Sequence, residues 1–151
     1  SEKLKHVPED SLFSFYNKNK DLFLLKDPII KGIFIQVHNT APDQSELSKL
    51  LSEINDDNLD SIMRYCTGNA IKYDFFIDNW TPYQEIANKL PQLIESTDPI
   101  LSRGTIVQQT EEYSYYLKVT GLCKVGDPSP YELIKSELHN ILLKNPVYNR
   151  F

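Results

Sequence analysis

The ten residues from Ile29 to His38, "IIKGIFIQVH", constrain the fold more than any other stretch. Successive side chains of a strand point to opposite faces. Ile29, Ile33, Ile35 and Val37 then share one face with Lys31, while Ile30, Phe34, Gln36 and His38 share the other. Both faces are largely apolar, the pattern of a strand buried on two sides. The segment is therefore expected at the centre of a sheet, with Pro28 suited to its start.

A second strand signal lies far downstream in "EEYSYYLKVTG". Tyr113, Tyr115, Leu117 and Val119 alternate with Ser114, Tyr116, Lys118 and Thr120. With "RGTIVQQ" before it, this reads as an antiparallel hairpin whose turn falls near residues 109–112. Most of the remaining chain has helical spacing. "PEDSLFSFYNKNK" opens a short helix with Asp10 at its cap and Leu12, Phe15 and Tyr16 on one side. "APDQSELSKLLSEI" pairs Asp43 and Glu46 as a capping box over a stripe of Leu47, Leu50, Leu51 and Ile54. "DDNLDSIMRYCTGNAIKYD" extends a helical pattern through Leu59, Ile62, Met63, Cys66, Ala70 and Tyr73, and "FFIDNW" reads as irregular or briefly extended. "TPYQEIANKLP" starts a short helix at Thr81, and "QLIESTDPILS" is a connection. "DPSPYELIKSELHNILLKN" closes with a helix capped by Ser129, striped by Ile134, Leu138, Ile141 and Leu142, and stopped at Pro146. The predicted class is α+β, a small antiparallel sheet covered by helices.

The 151 residues fit one domain, long enough to bury a core without metal or disulfide staples. A net charge of −5 argues against broad nucleic-acid binding, which exchanges phosphate counterions for Lys and Arg. No apolar run reaches the roughly 20 residues that span a bilayer. Cys66 and Cys123 lack metal-ligand spacing and read as two buried thiols, with a disulfide or a reactive thiol as alternatives. His6, His38 and His139 are scattered, and no nucleophile elbow accompanies them. Asp56, Asp57 and Asp60 suit the positive end of a helix, with a metal site as the alternative. Asp74 and Asp78 beside Trp80 read as a solvated loop or as polar contacts at a groove. No cofactor motif is present. The tyrosine strand packs in a sheet or offers rigid aromatic area to a peptide.

Several segments together resemble a known family. "VPEDSLFSFYNKNKDLFLLKDPIIKGIFIQV" is similar to the short helix and first strand that open parvulin domains of the SurA and PpiD type. "NAIKYD" is similar to their "l-A-x-x-y-S", "DNW" to "L-G-W", and "EYSYYLKVTG" to the last strand "G-y-H-i-i-k-V". The chain resembles the divergent peptidyl-prolyl isomerase-like proteins of Bacteroidetes. The resemblance implies a helical lead-in over residues 1–26, a parvulin-like domain over 27–126 and a closing helix over 127–151 that continues further. It also implies a periplasmic or envelope location, with a lipid anchor outside these residues.

The resemblance carries departures. The family's first-strand histidine falls on Ile33, its last-strand histidine on Tyr115, and its Cys/Asp position near Phe76. The glycine pair before "L-G-W" is absent, and Tyr83 and Ile86 stand nearest the proline pocket. Rotation about X–Pro has a barrier of ~18–20 kcal/mol, and the family is held to lower it with the imidazoles lost here. The expectation is a degenerate domain that binds unfolded or proline-containing polypeptide through Phe34, Phe76, Trp80, Tyr83, Tyr113 and Tyr115, with weak or no isomerase activity. An active isomerase and a non-catalytic scaffold are the alternatives, and homo-oligomerisation through the terminal helices is compatible with each.

Overall fold

A computed structural model describes residues 7–144. His6 and Pro146 lie outside the described residues. In chain order the elements are α1 (Glu9–Lys18), a 3₁₀ turn (Lys20–Phe23), β1 (Ile29–His38), α2 (Gln44–Ser52), α3 (Asp56–Asn69), β2 (Ala70–Phe75), β3 (Thr81–Pro82), α4 (Tyr83–Ala87), α5 (Ile100–Arg103), β4 (Thr105–Gln109), β5 (Tyr113–Cys123) and α6 (Tyr131–Leu143). The class is α+β, and the chain divides into two compact units, residues 27–124 and the two flanks together.

The 27–124 unit is built on β1. The sheet is antiparallel throughout, in the order β2-β1-β5-β4, with β3 pairing the start of β1. As its two-sided apolar pattern requires, β1 is central. Ile33, Ile35 and Val37 are buried with Tyr116 under Leu47 and Leu51 of α2 and Ile62 and Cys66 of α3. On the opposite face Ile30, Phe34, Leu117 and Ile106 are buried with Phe76, Tyr83, Ile86, Leu90 and Leu101. Two separate cores thus share one strand.

Gly32 makes the close packing of β1 on β5 possible. The β1–β5 register shifts between Lys31 and Gly32, leaving Thr120 as the extra residue of a bulge. A Cβ at Gly32 would lie 2.1 Å from the Lys118 carbonyl oxygen, so only glycine fits. The β4–β5 turn is closed by Thr110. Its backbone N–H donates to the Tyr113 carbonyl (2.8 Å), and its hydroxyl accepts from the Tyr113 N–H (3.0 Å).

Several local expectations are corrected. The helix read through Tyr73 ends at Asn69, and Ala70–Phe75 pairs with β1 as an edge strand. Gly68 and Asn69 are weak helix formers, and the residues after them find backbone partners along the edge of β1. Asp43 makes no side-chain cap. It adopts the left-handed conformation (φ 59°), and the Gln44 amide instead donates to the carbonyls of Asn39 (3.0 Å) and Ala41 (3.1 Å). The cap of α3 is Asn55, whose side chain accepts from the Asn58 N–H at 2.8 Å. Asp10, Thr81 and Ser129 do not cap either. The residues at the three cap positions are Pro8, Pro82 and Pro130, each with φ between −58° and −52° and ψ between 130° and 147°. This polyproline-like backbone presets the helix entry, one residue later than expected at Pro82 and Pro130 and two residues earlier at Pro8. The "TDPILS" connection contains the short α5, begun by Asp98 accepting from the Ile100 N–H at 3.0 Å.

In the flanking unit α1 packs on α6. Val7, Leu12, Tyr16, Ile134, Leu138 and Leu142 form its buried core, while Ile141, expected in that stripe, is 49% exposed. The segments around Leu24 and Pro128 pair as a short antiparallel bridge, and the buried Tyr16 hydroxyl donates to the Ser129 carbonyl at 2.8 Å. Glu9 accepts from Tyr131 (2.9 Å) and pairs with Lys135 (2.8 Å), which holds its carboxyl below the usual range.

Candidate functional site

The face of the sheet that carries Phe34 is only partly covered. Cross-strand register sets two rows on it. One runs Asp74, Phe34, Leu117, Ile106; the next runs Lys72, Gln36, Tyr115, Gln108. The first row is overlaid by α4 and α5 and is dry at its centre. The second lies at the rim of that cover, and there a furrow opens. It has a volume of about 360 Å³ and is lined by Phe34, Gln36, Lys72, Tyr73, Asn88, Lys89 and Tyr115.

Its aromatic floor is Phe34 and Tyr115, with ring centroids 6.5 Å apart. Phe34 is buried and fixed, whereas Tyr115 is half-buried. Two residues back along β5, Tyr113 extends the aromatic surface, its ring 6.5 Å from that of Tyr115 and 5.2 Å from the exposed ring of His38, its cross-strand partner. One wall is the segment just after α4. Lys89 places its ammonium 5.5 Å above the Phe34 ring centroid and 3.3 Å from the Asp74 carboxylate. The other wall is β2, which supplies Lys72 and Tyr73.

The segment after α4 is pinned by Gln108, which is buried. Its amide oxygen accepts from the Gln92 N–H (2.9 Å) and its amide nitrogen donates to the Gln92 carbonyl (2.8 Å). At the β5 entry, Asn39 accepts from Ser114 (2.7 Å) and Gln109 (3.2 Å) and donates to the Thr110 carbonyl (2.9 Å), fixing where Tyr113 begins.

Of the residues expected at a peptide site, Phe34, Tyr113 and Tyr115 are brought together. The others are not. Phe76 is buried in the core beneath α4, bonded by its backbone to Gly32. Tyr83 is also buried and lines a separate cavity of about 410 Å³ with Pro28, Pro82, Leu93, Ile94 and Glu95. Its hydroxyl donates to the Ile94 carbonyl, and burial pushes its pKa up, with Glu95 and Asp98 adding to the effect. Trp80 lines neither cavity. It stacks under the Lys31 ammonium (4.7 Å) and against Gly121, at the far end of β1.

Ile33 requires a correction. It is on the strand next to Tyr115 but on the other face, buried against α2 and α3. The β1 residues that share the face of Tyr115 are Phe34, one position on, whose ring centroid is 6.5 Å away, and Gln36, its direct cross-strand partner. Alternation alone separates these positions. Gln36, Lys72, Asn88 and Lys89 were not foreseen at the site. Treating "AIKYDF" as a strand would have put Lys72 and Asp74 together beside Gln36 and Phe34.

The furrow holds no nucleophile–base pair. Among the described residues no group of three or more His, Cys, Asp or Glu side chains could hold a metal ion. Cys66 is buried in the α2–α3 core and its thiol is pushed up to about 12 by desolvation, which makes it inert at neutral pH. What the furrow can do is bind: an aromatic floor, an amide and a phenol hydroxyl along one edge, and the charged side chains of Lys72 and Lys89 at the mouth. Searches among family models, curated proteins and solved structures found nothing that matches this chain.

Proposed function

We propose that this protein binds extended or unfolded polypeptide, proline-containing segments included, through the Phe34–Tyr115 furrow. In this reading it is a parvulin-like envelope chaperone module with little or no rotamase activity. The observation that carries the reading is the aromatic pair itself: Phe34 and Tyr115 stand side by side on adjacent strands, at the floor of an open furrow with a polar edge. Ligand sites are concave and join apolar contact area to a few placed polar groups; here half-buried Tyr115 supplies that area at low entropic cost, among the polar side chains of Gln36, Asn88 and the two lysines. The adjacency of β1 and β5, the first and last strands of the sheet, supports the resemblance in the sequence. Phe34 on β1 and Tyr115 on β5 offer no imidazole at the floor, which supports binding without efficient catalysis.

The test is binding of a reduced, permanently unfolded client, followed by fluorescence anisotropy and by amide shifts in NMR spectra. Micromolar binding with shifts centred on Phe34, Gln36 and Tyr115, weakened about ten-fold by Tyr115→Ala, supports the reading. Shifts confined to another surface, or a Tyr115→Ala variant that binds as well as the parent, overturn it.

Residual isomerase activity is a second reading, favoured by the direct cross-strand pairing of Gln36 with Tyr115. That pair sets two hydrogen-bonding side chains beside an apolar ring. It predicts faster proline-limited refolding of a client, abolished by Tyr115→Phe.

A further inference from the structure

The furrow's charge runs against that of the molecule. The chain carries a net charge of −5, yet Lys72 and Lys89 both line this opening. The nearby carboxylate, Asp74, is engaged by Lys89 at 3.3 Å. One carboxylate against two ammonium groups leaves one positive charge in excess at the mouth. Lys72 sits directly across from Gln36, which in turn sits across from Tyr115, so charge, amide and ring form one line across three strands. Lys89 covers the Phe34 ring, and anything apolar that settles there must enter past its ammonium.

From this juxtaposition we infer that the furrow selects peptides bearing a carboxylate next to the apolar residue that rests on Tyr115, whose ring Phe34 backs from beneath. The inference rests on the peptide-binding reading and adds its specificity. The aromatic or proline side chain takes the floor, and the neighbouring Asp or Glu side chain takes the Lys72 side of the mouth. Asp74 keeps Lys89 in place, so Lys72 provides most of the discrimination. Exposed ion pairs are individually weak, so the expected preference is modest and sensitive to salt.

The experiment uses three rhodamine-labelled peptides that differ only in the residue before a Phe-Pro pair: Glu, Gln or Lys. Anisotropy titrations of the full chain are run at low ionic strength and again in about 0.5 M salt. The Glu peptide is expected to bind about three- to five-fold more tightly than the Gln peptide at low salt, with the gap closing at high salt. Lys72→Gln is expected to bring the Glu-to-Gln affinity ratio to about one, and that ratio, rather than the affinity for either peptide alone, is the readout. Equal binding of the Glu and Gln peptides, or a preference for the Lys peptide, overturns the selectivity and leaves the furrow's binding role standing. A Glu preference that survives Lys72→Gln also overturns it, since the charge that selects then lies elsewhere. Absence of binding by all three peptides overturns both.

Discussion

Gln108 completes for Gln92 what a neighbouring strand would: its side-chain amide forms both the accepting and the donating bond to that residue's backbone, at 2.9 and 2.8 Å. The pair ties residues after α4, which form one wall of the furrow, to the edge strand β4. Removing the amide leaves a backbone N–H and C=O without these partners.

Gln108→Ala is expected to destabilise the protein by about 1–3 kcal/mol, the sum of two part-buried hydrogen bonds at roughly 0.5–1.5 kcal/mol each. Gln108→Leu restores apolar volume but not the bonds, so it should recover only part of the loss. Denaturant titration measures both, and hydrogen exchange at the Gln92 amide should accelerate in each variant.

Two glycines should respond to alanine in opposite directions. At Gly32 a Cβ meets the Lys118 carbonyl oxygen at 2.1 Å, a backbone atom that cannot step aside. Gly32→Ala should cost at least about 3 kcal/mol or prevent folding, as overpacking at a rigid site does. At Gly68, in α3, nothing lies within 4 Å of the added carbon. Gly68→Ala should stabilise by up to about 1 kcal/mol through reduced chain entropy. Thermal melts of the two variants decide both.

Adjacent tyrosines should separate stability from binding. The Tyr116 hydroxyl donates to the Gln44 side chain at 2.7 Å beneath α2, so Tyr116→Phe should cost about 1 kcal/mol and leave peptide affinity unchanged. Tyr115 faces the furrow, so Tyr115→Ala should weaken peptide binding more than it weakens the fold. Parallel denaturation and anisotropy measurements test the split. Loss of peptide affinity in Tyr116→Phe would reassign the binding face.

Alkaline pH should unfold the protein through Cys66. Burial raises its thiol from an ordinary value of 9.0 to about 12 in the folded chain. The unfolded chain therefore releases this proton first as pH rises. The stability associated with the neutral thiol is fully present below pH 9 and is lost between 9 and 12. Burial raises the phenols of Tyr65, Tyr83 and Tyr116 as well, with the same sign. Urea midpoints measured between pH 8 and 11 should fall, and Cys66→Ala should flatten the earlier part of that fall. At pH 8 a thiol reagent should modify Cys66 only after unfolding.

The parts of this architecture that could be read from residues were those set by burial on both sides. The two apolar faces of Ile29–His38 placed β1 at the centre, and the alternation of Tyr113 to Thr120 correctly separated Tyr115 from Tyr116. Helix stripes such as Leu47 with Leu51 were equally plain, because burial repeats at the helical period. Edge features were not legible. Residues 70–75 are part-exposed or exposed, so no core demand marks them as a strand, and their polar residues fitted a continuing helix as well. The furrow's walls depended on that edge, which is why Lys72 went unseen. Trp80, Phe76 and Tyr83 shared a local run of aromatic residues, but where each one points is decided by chain reversals that no short-range pattern encodes.

The division of β1 between two cores has a further consequence for how this surface can diversify. Gln36 and Lys72 can be exchanged one at a time, since neither is shared with either core, whereas Tyr115 also packs against the core around Phe34. Specificity at the mouth is thus open to gradual rewriting by point substitution. A single codon inserted after Gly32 would do the reverse, sending Phe34 inward to the helices and Ile33 out to the furrow. Descendants of this chain should therefore vary freely in chemistry at Gln36 and Lys72 while the spacing from Gly32 to Val37 stays constant.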